Sequence, residues 1–350
     1  MLYQFIIQFF ASNKQWLISI FKFKFFEKLI NNGLKLGVIG EPCIDYIHRE
    51  GMETRKHFGG ILYSAVSLAV IAKDTDEIYP IMNLGNDEYV NVISFLKKFK
   101  NIKTDFIYRS LHKTRVVKLY YKSGSSTPVC GGNNTKKTYD REESSTQPTL
   151  PVSIDQIKVP SFMMDSILVN MVSGMDIGFD TLQSLRRNFR GYIHMDLHNV
   201  VMKTNKNGTR TQGPVKKWLT WCTNCDTLQM NESEINVLSG EGLSEYETAE
   251  KILNSGNVRS ITITRGKNGV SLYEQKMNGE PGIEKNDFFP VITPKFQDST
   301  GCGDVFASGF FYKLCESNLN EPITAIHYAN KLASRNSELI GVEELKKLDE

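Results

Sequence analysis

Cysteine is scarce in this chain. Six of 350 residues, at positions 43, 130, 222, 225, 302 and 315, are too thinly spread to staple a fold, which excludes the disulfide-built secreted class and fits a reducing cytoplasm. A charge excess of either sign is lacking as well. Lys and Arg number 42 against 39 Asp and Glu, a net of +3 with no concentrated basic stripe, so nucleic acid is not an expected partner. Also missing is an uninterrupted apolar run of the ~18 residues that a spanning helix needs. The nearest approach is residues 1–33, "MLYQFIIQFFASNKQWLISIFKFKFFEKLINNG", where Gln4, Gln8, Asn13, Lys14, Gln15, Lys22 and Lys24 break the run. The marks of a signal peptide, positive charge ahead of an apolar core and a small-residue cleavage site, are not evident there either. Residues 1–34 are read as an N-terminal extension with three roles open: none in the fold, a docking helix, or an interfacial anchor that touches a membrane.

What the chain does have is apolar residues, 40% of the total, arranged from Leu36 onward in a regular alternation. Short apolar runs that read as buried strands are "LGVIG", "EIYPIM", "VVKLYY", "SILVN", "YIHMDL", "DTLQM", "SITIT" and "VSLYE". Between most of them lie segments of helical periodicity such as "EYVNVISFLKKF", "FDTLQSLRRNF" and "EYETAEKILNS", while "ILYSAVSLAVIA" (61–72) is apolar almost all round, as a helix covered on every side would be. Strands alternating with helices imply an α/β fold with a mostly parallel sheet and helices on both faces. Two polar stretches interrupt the rhythm: residues 122–151, a long loop or flap over a site, and the basic loop 199–213.

One stretch carries chemistry. In "QDSTGCGDVFASGFFYKL" (297–314), Gly301, Cys302 and Gly303 form a tight turn ahead of an apolar helix. Unsatisfied amides and the positive end of the helix dipole converge at such a turn, which makes an anion site. Asp304 sits at its mouth, placed to take a proton from an incoming hydroxyl, or else merely to cap the helix. Two other patterns invite a metal or redox reading and lack the context for it. Cys222 and Cys225 in "TWCTNC" follow a basic amphipathic stretch rather than a strand, and "HMDLH" places His194 and His198 four apart without the Glu of a zinc-protease motif.

The turn does not stand alone. With "GG" at 59–60, "MNESE" at 230–234 and "TRGKNG" at 264–269, the chain closely resembles the ribokinase-like (PfkB) family of carbohydrate kinases, from about Leu36 to about Leu339. The resemblance implies a ribokinase-like kinase domain over residues 35–342. It also implies Asp304 as the base for the acceptor hydroxyl, with the Gly301, Cys302 and Gly303 amides as the anion hole and Thr300 beside them. Asn231 and Glu234 match an Asn-x-x-Glu motif whose carboxylate organises the water shell of Mg²⁺ on the phosphates of ATP. Thr264, Gly266 and Gly269 match a turn that lines the nucleotide phosphates, and Asn330 falls on the late helix that flanks the adenine. Asp45, in "GEPCIDYI", stands where relatives grip sugar hydroxyls, and Gly59 and Gly60 where the backbone approaches the sugar.

Two departures stand out. Where the family commonly has Asn five residues after the first glycine, this chain has Ser64. Between Asp45 and Gly59 lie only residues 46–58, too few for the two lid strands of ribokinase, so the lid is expected to be reduced, with 122–151 as substitute cover. Arg115 and Lys118 in "RVVKLYY" then face an anionic substrate, or are solvated strand charges. Cys302, among helix amides, is expected to be acidic and reactive.

The expected activity is transfer of the γ-phosphoryl group of ATP to a hydroxyl of a sugar or related small polyol, in the cytoplasm. A nucleoside kinase, with Tyr46, Phe58 or Tyr63 stacking on the base, and a non-catalytic sugar or nucleotide sensor are the alternatives. A K⁺ requirement and the choice between monomer and homodimer stay open.

Overall fold

The computed structural model describes residues 33–49, 51–121, 141–205, 210–276 and 280–349. The roles weighed for residues 1–32 and the flap residues 122–140 lie outside the described residues. In chain order the first half comprises strands β1 (Lys35–Ile39), β2 (Pro42–Arg49) and β3 (Arg55–Gly60), helix α1 (Ile61–Ile71), β4 (Glu77–Gly85), α2 (Tyr89–Leu96), β5 (Ile107–Ser110), β6 (Arg115–Tyr121) and β7 (Arg141–Ser145). There follow α3 (Ile154–Met163), β8 (Ser166–Asn170), α4 (Phe179–Asn188), β9 (Tyr192–Asp196), β10 (Met202–Thr204), β11 (Arg210–Gln212), α5 (Trp218–Cys222) and β12 (Thr227–Asn231). The chain then forms α6 (Glu232–Leu238), α7 (Glu245–Leu253), β13 (Ser260–Thr264), β14 (Val270–Gln275), β15 (Ile283–Phe288), α8 (Cys302–Glu316) and α9 (Pro322–Asn336).

Nine strands form the central sheet in the order β15-β14-β13-β12-β9-β8-β1-β4-β5. The seven from β13 to β5 are parallel, and β14 and β15 extend the edge antiparallel. Strand alternation sends side chains to two cores. From β1, Leu36 and Val38 join one core with α1, α2, α8 and α9, whereas Ile39 joins the other with α3 to α7. Both faces are covered, which is why these strands read as unbroken apolar runs rather than as alternating ones. Helix α1 is buried from Ile61 to Ala69 because α8 and the 3-10 turn Val342–Lys347 pack beside it, and the core extends to Leu348.

A second sheet, β3-β2-β6-β7, rises from the carboxyl edge of the first. Its inner face carries Cys43, Ile47, Val117 and Leu119. This corrects the expectation that residues 46–58 are too few for two lid strands. Asp45 and Gly59 themselves lie on the paired strands, with Asp45 opposite His57 and Cys43 opposite Gly59, so the segment between them needs only to finish one hairpin. The second half of the lid is β6 and β7. Arg115 also departs from expectation. It is 2% exposed on the inward face of β6, and of these two charges only Lys118 is exposed.

Candidate functional site

Connections from β1 and β4 run toward one edge of the sheet, and those from β8 onward run toward the other. The strand order reverses between β1 and β8, and ligands in open parallel sheets bind outside the carboxyl ends at such a point. Here those ends are polar: Asn170 on β8 pairs with Asp196 on β9, and Asn231 on β12 pairs with Thr264 on β13.

Helix α8 begins over this row. Gly301 caps it at φ 77°, and a Cβ there would lie 2.2 Å from the Tyr63 ring, so only glycine both makes the turn and clears α1. A Cβ on Gly303 would meet nothing within 4 Å, which leaves that side of the turn open. The turn is braced from three sides. Thr300 donates from N–H and Oγ1 to Asp298 Oδ1 at 2.9 and 2.8 Å, Asn336 Nδ2 donates to the Thr300 carbonyl at 2.9 Å, and Gln229 Nε2 donates to the Gly303 carbonyl at 3.1 Å. The Cys302 N–H is already engaged by the Ser299 carbonyl at 3.2 Å, so Cys302 supplies no free amide to an anion hole. Its thiol is not acidic either. Burial pushes it up to about 12, and Sγ faces the Ala333 carbonyl and Asn336 rather than the open side of the turn.

Asp304, in the first turn of α8, accepts a 2.6 Å hydrogen bond on Oδ1 from Asn170 Nδ2, which also donates to Ser64 Oγ at 3.0 Å. Burial raises the Asp304 carboxyl to about 7. The Asn170 hydrogen bond opposes that rise, and the nearby Asp45 and Asp176 carboxylates add to it. A buried carboxyl raised toward neutrality is suited both to take and to return a proton. Asn170 is the functional residue that sequence reading missed. "SILVN" signals a buried strand, and the one clue was a polar residue at its carboxyl end. It also accounts for Ser64, since the amide that Ser64 lacks is delivered from β8.

At the lid root, Asp45 is buried and accepts from Cys43 Sγ at 3.2 Å. A Cβ on Gly59 would come within 2.1 Å of Asp45 Oδ2, and one on Gly60, at φ 65°, within 2.4 Å of the Glu41 carbonyl. Both glycines therefore make room for protein neighbours at the pocket wall. Tyr63 is buried under Gly301 and Phe58 packs on Phe95 at 5.1 Å, so neither ring is presented for stacking on a base. Tyr46 is half-buried on β2.

On the other side of Asp304, Asn231 caps α6 and closes a capping box with Glu234, whose carboxylate accepts from the Asn231 N–H at 2.7 Å and from its Nδ2 at 2.5 Å. Glu234 is not solvated. Burial lifts it to about 8, and His198 Nδ1 stands 3.7 Å away. Asp196 is raised well above the carboxylate range by burial and then by Glu234 and Asp304. Buried carboxylates gathered this closely, with Asp196 raised by Glu234 and Asp304, suit a cation. Among the described residues no group of three or more His, Cys, Asp or Glu is arranged to hold a metal ion by itself. This donor set fits Mg²⁺, which keeps waters and takes remaining ligands from phosphates.

Thr264, Gly266 and Gly269 shape the β13–β14 hairpin, where a Cβ on Gly269 would lie 2.0 Å from the Phe288 carbonyl. Asn330 is buried on α9 and donates to the Phe289 carbonyl at 3.3 Å. His194 belongs to the core. Burial holds it down to about 3, with Nδ1 2.7 Å from Thr227 Oγ1. Cys222 and Cys225 are buried thiols, both raised by burial.

The sequence model described as pfkB family carbohydrate kinase matches residues 199–344. A cytidine kinase from Thermococcus kodakarensis is 31% identical over 80 residues, a segment that spans 23% of this chain and 26% of that protein. Among solved structures, ribokinase from Thermotoga maritima superposes with a TM-score of 0.66 at 20% identity, over 89% of this chain and 95% of that one. Fructokinase with bound ATP from Xylella fastidiosa superposes with a TM-score of 0.67 at 14% identity, over 89% and 94%. At these identities the likeness establishes the ribokinase-like fold.

Proposed function

We propose that this chain, whose residues 199–344 match the pfkB family carbohydrate kinase model and whose fold is ribokinase-like, transfers the γ-phosphoryl group of ATP to a hydroxyl of a sugar or related small polyol. The observation that carries the reading is Asp304: a buried carboxyl tuned to about 7, held by Asn170 at the mouth of α8 where the sheet order reverses. As the acceptor oxygen bonds to the γ-phosphorus, the bond from that phosphorus to the β-γ bridging oxygen breaks and ADP departs. Asp304 takes the hydroxyl proton, and the N-terminus of α8 offsets the charge on the transferring group. Asn231, Thr264, Gly266, Gly269 and Thr300 line the nucleotide side and Asn330 the base, while Asp45 and Ser64 orient the acceptor. Glu234 and Asp196 would hold a hydrated Mg²⁺, which would supply neutralisation of the phosphate charge. The lid sheet keeps water from the γ-phosphate.

A second reading has one observation in its favour, the local similarity to a cytidine kinase, and makes the acceptor a nucleoside. A sensor without catalysis would have no use for a base tuned to neutrality. One assay tests all three: ADP release with Mg²⁺, with and without K⁺, across neutral sugars, polyols and nucleosides, with Asp304→Asn as control. Turnover on sugars supports the reading. Turnover on nucleosides alone replaces it, and a wild-type rate in Asp304→Asn removes Asp304 from the role of base.

A further inference from the structure

Beside the Asn170–Asp304 pair lies a second buried polar pair that the mechanism above does not use. Glu41 follows β1, next to Gly40, where a Cβ would lie 2.9 Å from the Asn170 carbonyl. Its backbone is fixed: the Ile61 N–H donates to the Glu41 carbonyl at 3.0 Å, and the Glu41 N–H donates to Asp176 Oδ1 at 2.7 Å. Of its carboxylate, Oε1 accepts from the Thr149 N–H, and Oε2 is buried with no partner.

Arg115 opens β6 opposite Cys43 and shares the inner face of the lid with Cys43 and Asp45. At 2% exposed its side chain makes, among the described residues, one hydrogen bond, a long 3.5 Å donation from Nη1 to the Val172 carbonyl, and among them its buried Nε has no partner. The guanidinium is close enough to lower the Glu41 carboxyl against the larger effects of burial and Asp176, yet no ion pair joins the two among the described residues. Both residues contact the same loop, Glu41 through Asp176 and Arg115 through Val172, so a buried donor and a buried acceptor stand near each other unfilled, an arrangement that costs stability and costs more for charged groups than for neutral ones. A hydroxyl is the group that satisfies both, accepting from Nε–H and donating to Oε2.

The surrounding charge decides what carries that hydroxyl. Around Arg115 stand Glu41, Asp176 and the Asp45 carboxylate on the same lid face, while the neighbouring Arg210 is already paired with Glu143 at 2.7 Å. A phosphate or carboxylate on the substrate would meet more fixed negative charge than free positive charge. This replaces the expectation that Arg115 receives an anion.

We propose that Glu41 Oε2 and Arg115 Nε form a hydroxyl-recognition point in the wall of the acceptor pocket, which selects an uncharged polyol and rejects phosphorylated or acidic sugars. The proposal rests on the phosphoryl-transfer reading for the name acceptor pocket, and its test is separable from that reading because it measures binding. The full chain is titrated calorimetrically with D-ribose, D-fructose, myo-inositol and the phosphates and uronic acids of these sugars, and ADP release is followed in parallel.

At least one neutral polyol should bind, and its charged derivative should bind at least tenfold more weakly. Glu41→Gln, which turns the acceptor into a donor, and Arg115→Lys, which keeps the buried charge but removes Nε–H, should each weaken the neutral ligand about tenfold or more. They should do so without weakening a deoxy analogue that lacks the hydroxyl in question. Thermal melts of both variants establish that they are folded, and if one is not, the other variant with the deoxy series carries the test. Tighter binding of a charged sugar, unchanged affinity in both variants, or no binding by any neutral polyol overturns the proposal. Binding without ADP release counts against phosphoryl transfer and leaves the recognition point standing.

Discussion

The side-chain amide of Asn170 reaches 134 residues along the chain to donate to Asp304 at 2.6 Å, and the same nitrogen holds Ser64 Oγ at 3.0 Å. Strand β8, helix α1 and helix α8 therefore meet in one buried polar cluster, to which Ser308 Oγ adds a 3.4 Å donation to the Ser64 carbonyl. The contact fixes the orientation of the Asp304 carboxyl through Oδ1.

Removing the Asn170 amide should change the acidity of the base. A hydrogen bond to the ionised form lowers a carboxyl pKa, so Asn170→Leu raises that of Asp304 above about 7. On the proposed role of Asp304 as base, kcat/KM of the wild-type protein should rise with pH through about 7, and in the variant that limb should move up by roughly one to two units, the worth of one charge-assisted bond. A pH profile checks this. An unshifted limb with only a lower plateau would make Asn170 a packing residue.

Stability should fall as pH rises near neutrality. Asp304 and Glu234 are raised to about 7 and about 8, and Asp196, Glu41 and Asp176 are raised too, so the folded state binds these protons more tightly than the unfolded one. Their contribution is complete below the ordinary carboxylate range and is lost as pH climbs through the folded values. His194, held down to about 3, acts in the opposite sense but only below its ordinary 6.5. From pH ~6.5 to pH ~8 the ligand-free protein should lose roughly 3–5 °C in Tm, and Asp304→Asn less. Calorimetry at the two pH values decides, and a flat or rising Tm counts against this protonation pattern.

Cys302 should resist alkylation. Its thiol stands at about 12, so the thiolate fraction at pH ~7.5 is orders of magnitude below that of a free cysteine. Iodoacetamide labelling followed by peptide mass analysis should find Cys302 modified at least tenfold more slowly than free cysteine. Labelling at the free-thiol rate would restore the acidic site that its place beside α8 had led one to expect.

Glu234→Gln should raise the Mg²⁺ concentration needed for half-maximal ADP release about tenfold, while the affinity for the acceptor stays within about twofold. The expectation follows from the burial of this carboxylate beside Asp196 at the carboxyl edge of the sheet, in a donor set suited to a hydrated cation. Should acceptor affinity fall instead, with Mg²⁺ dependence fixed, Glu234 belongs to the acceptor side.

Local pattern was enough for much of this protein. Apolar runs such as "SILVN" became strands because a buried parallel strand needs apolar residues on both faces, and "ILYSAVSLAVIA" became α1 because only a helix covered all round tolerates that composition. Gly301 and Asp304 could be read from neighbours one to three residues away, since a turn and a first helical turn are local objects. Three features could not. Asn170 meets Asp304 only through the register of the sheet and the seating of α8. The lid depends on β2 pairing with β6, some seventy residues on, and on where its strands begin. Arg115 reads as a solvated strand charge until the lid folds its inner face onto the core, and Cys302 reads as activated until α9 covers it with Ala333 and Asn336. Burial, and with it the direction of every shifted pKa in the site, depends on chain segments far apart in sequence. The sequence by itself determined the elements and the position of the Asp304 carboxyl at the start of α8, and the tertiary structure decided the acidity of that carboxyl and what surrounds it.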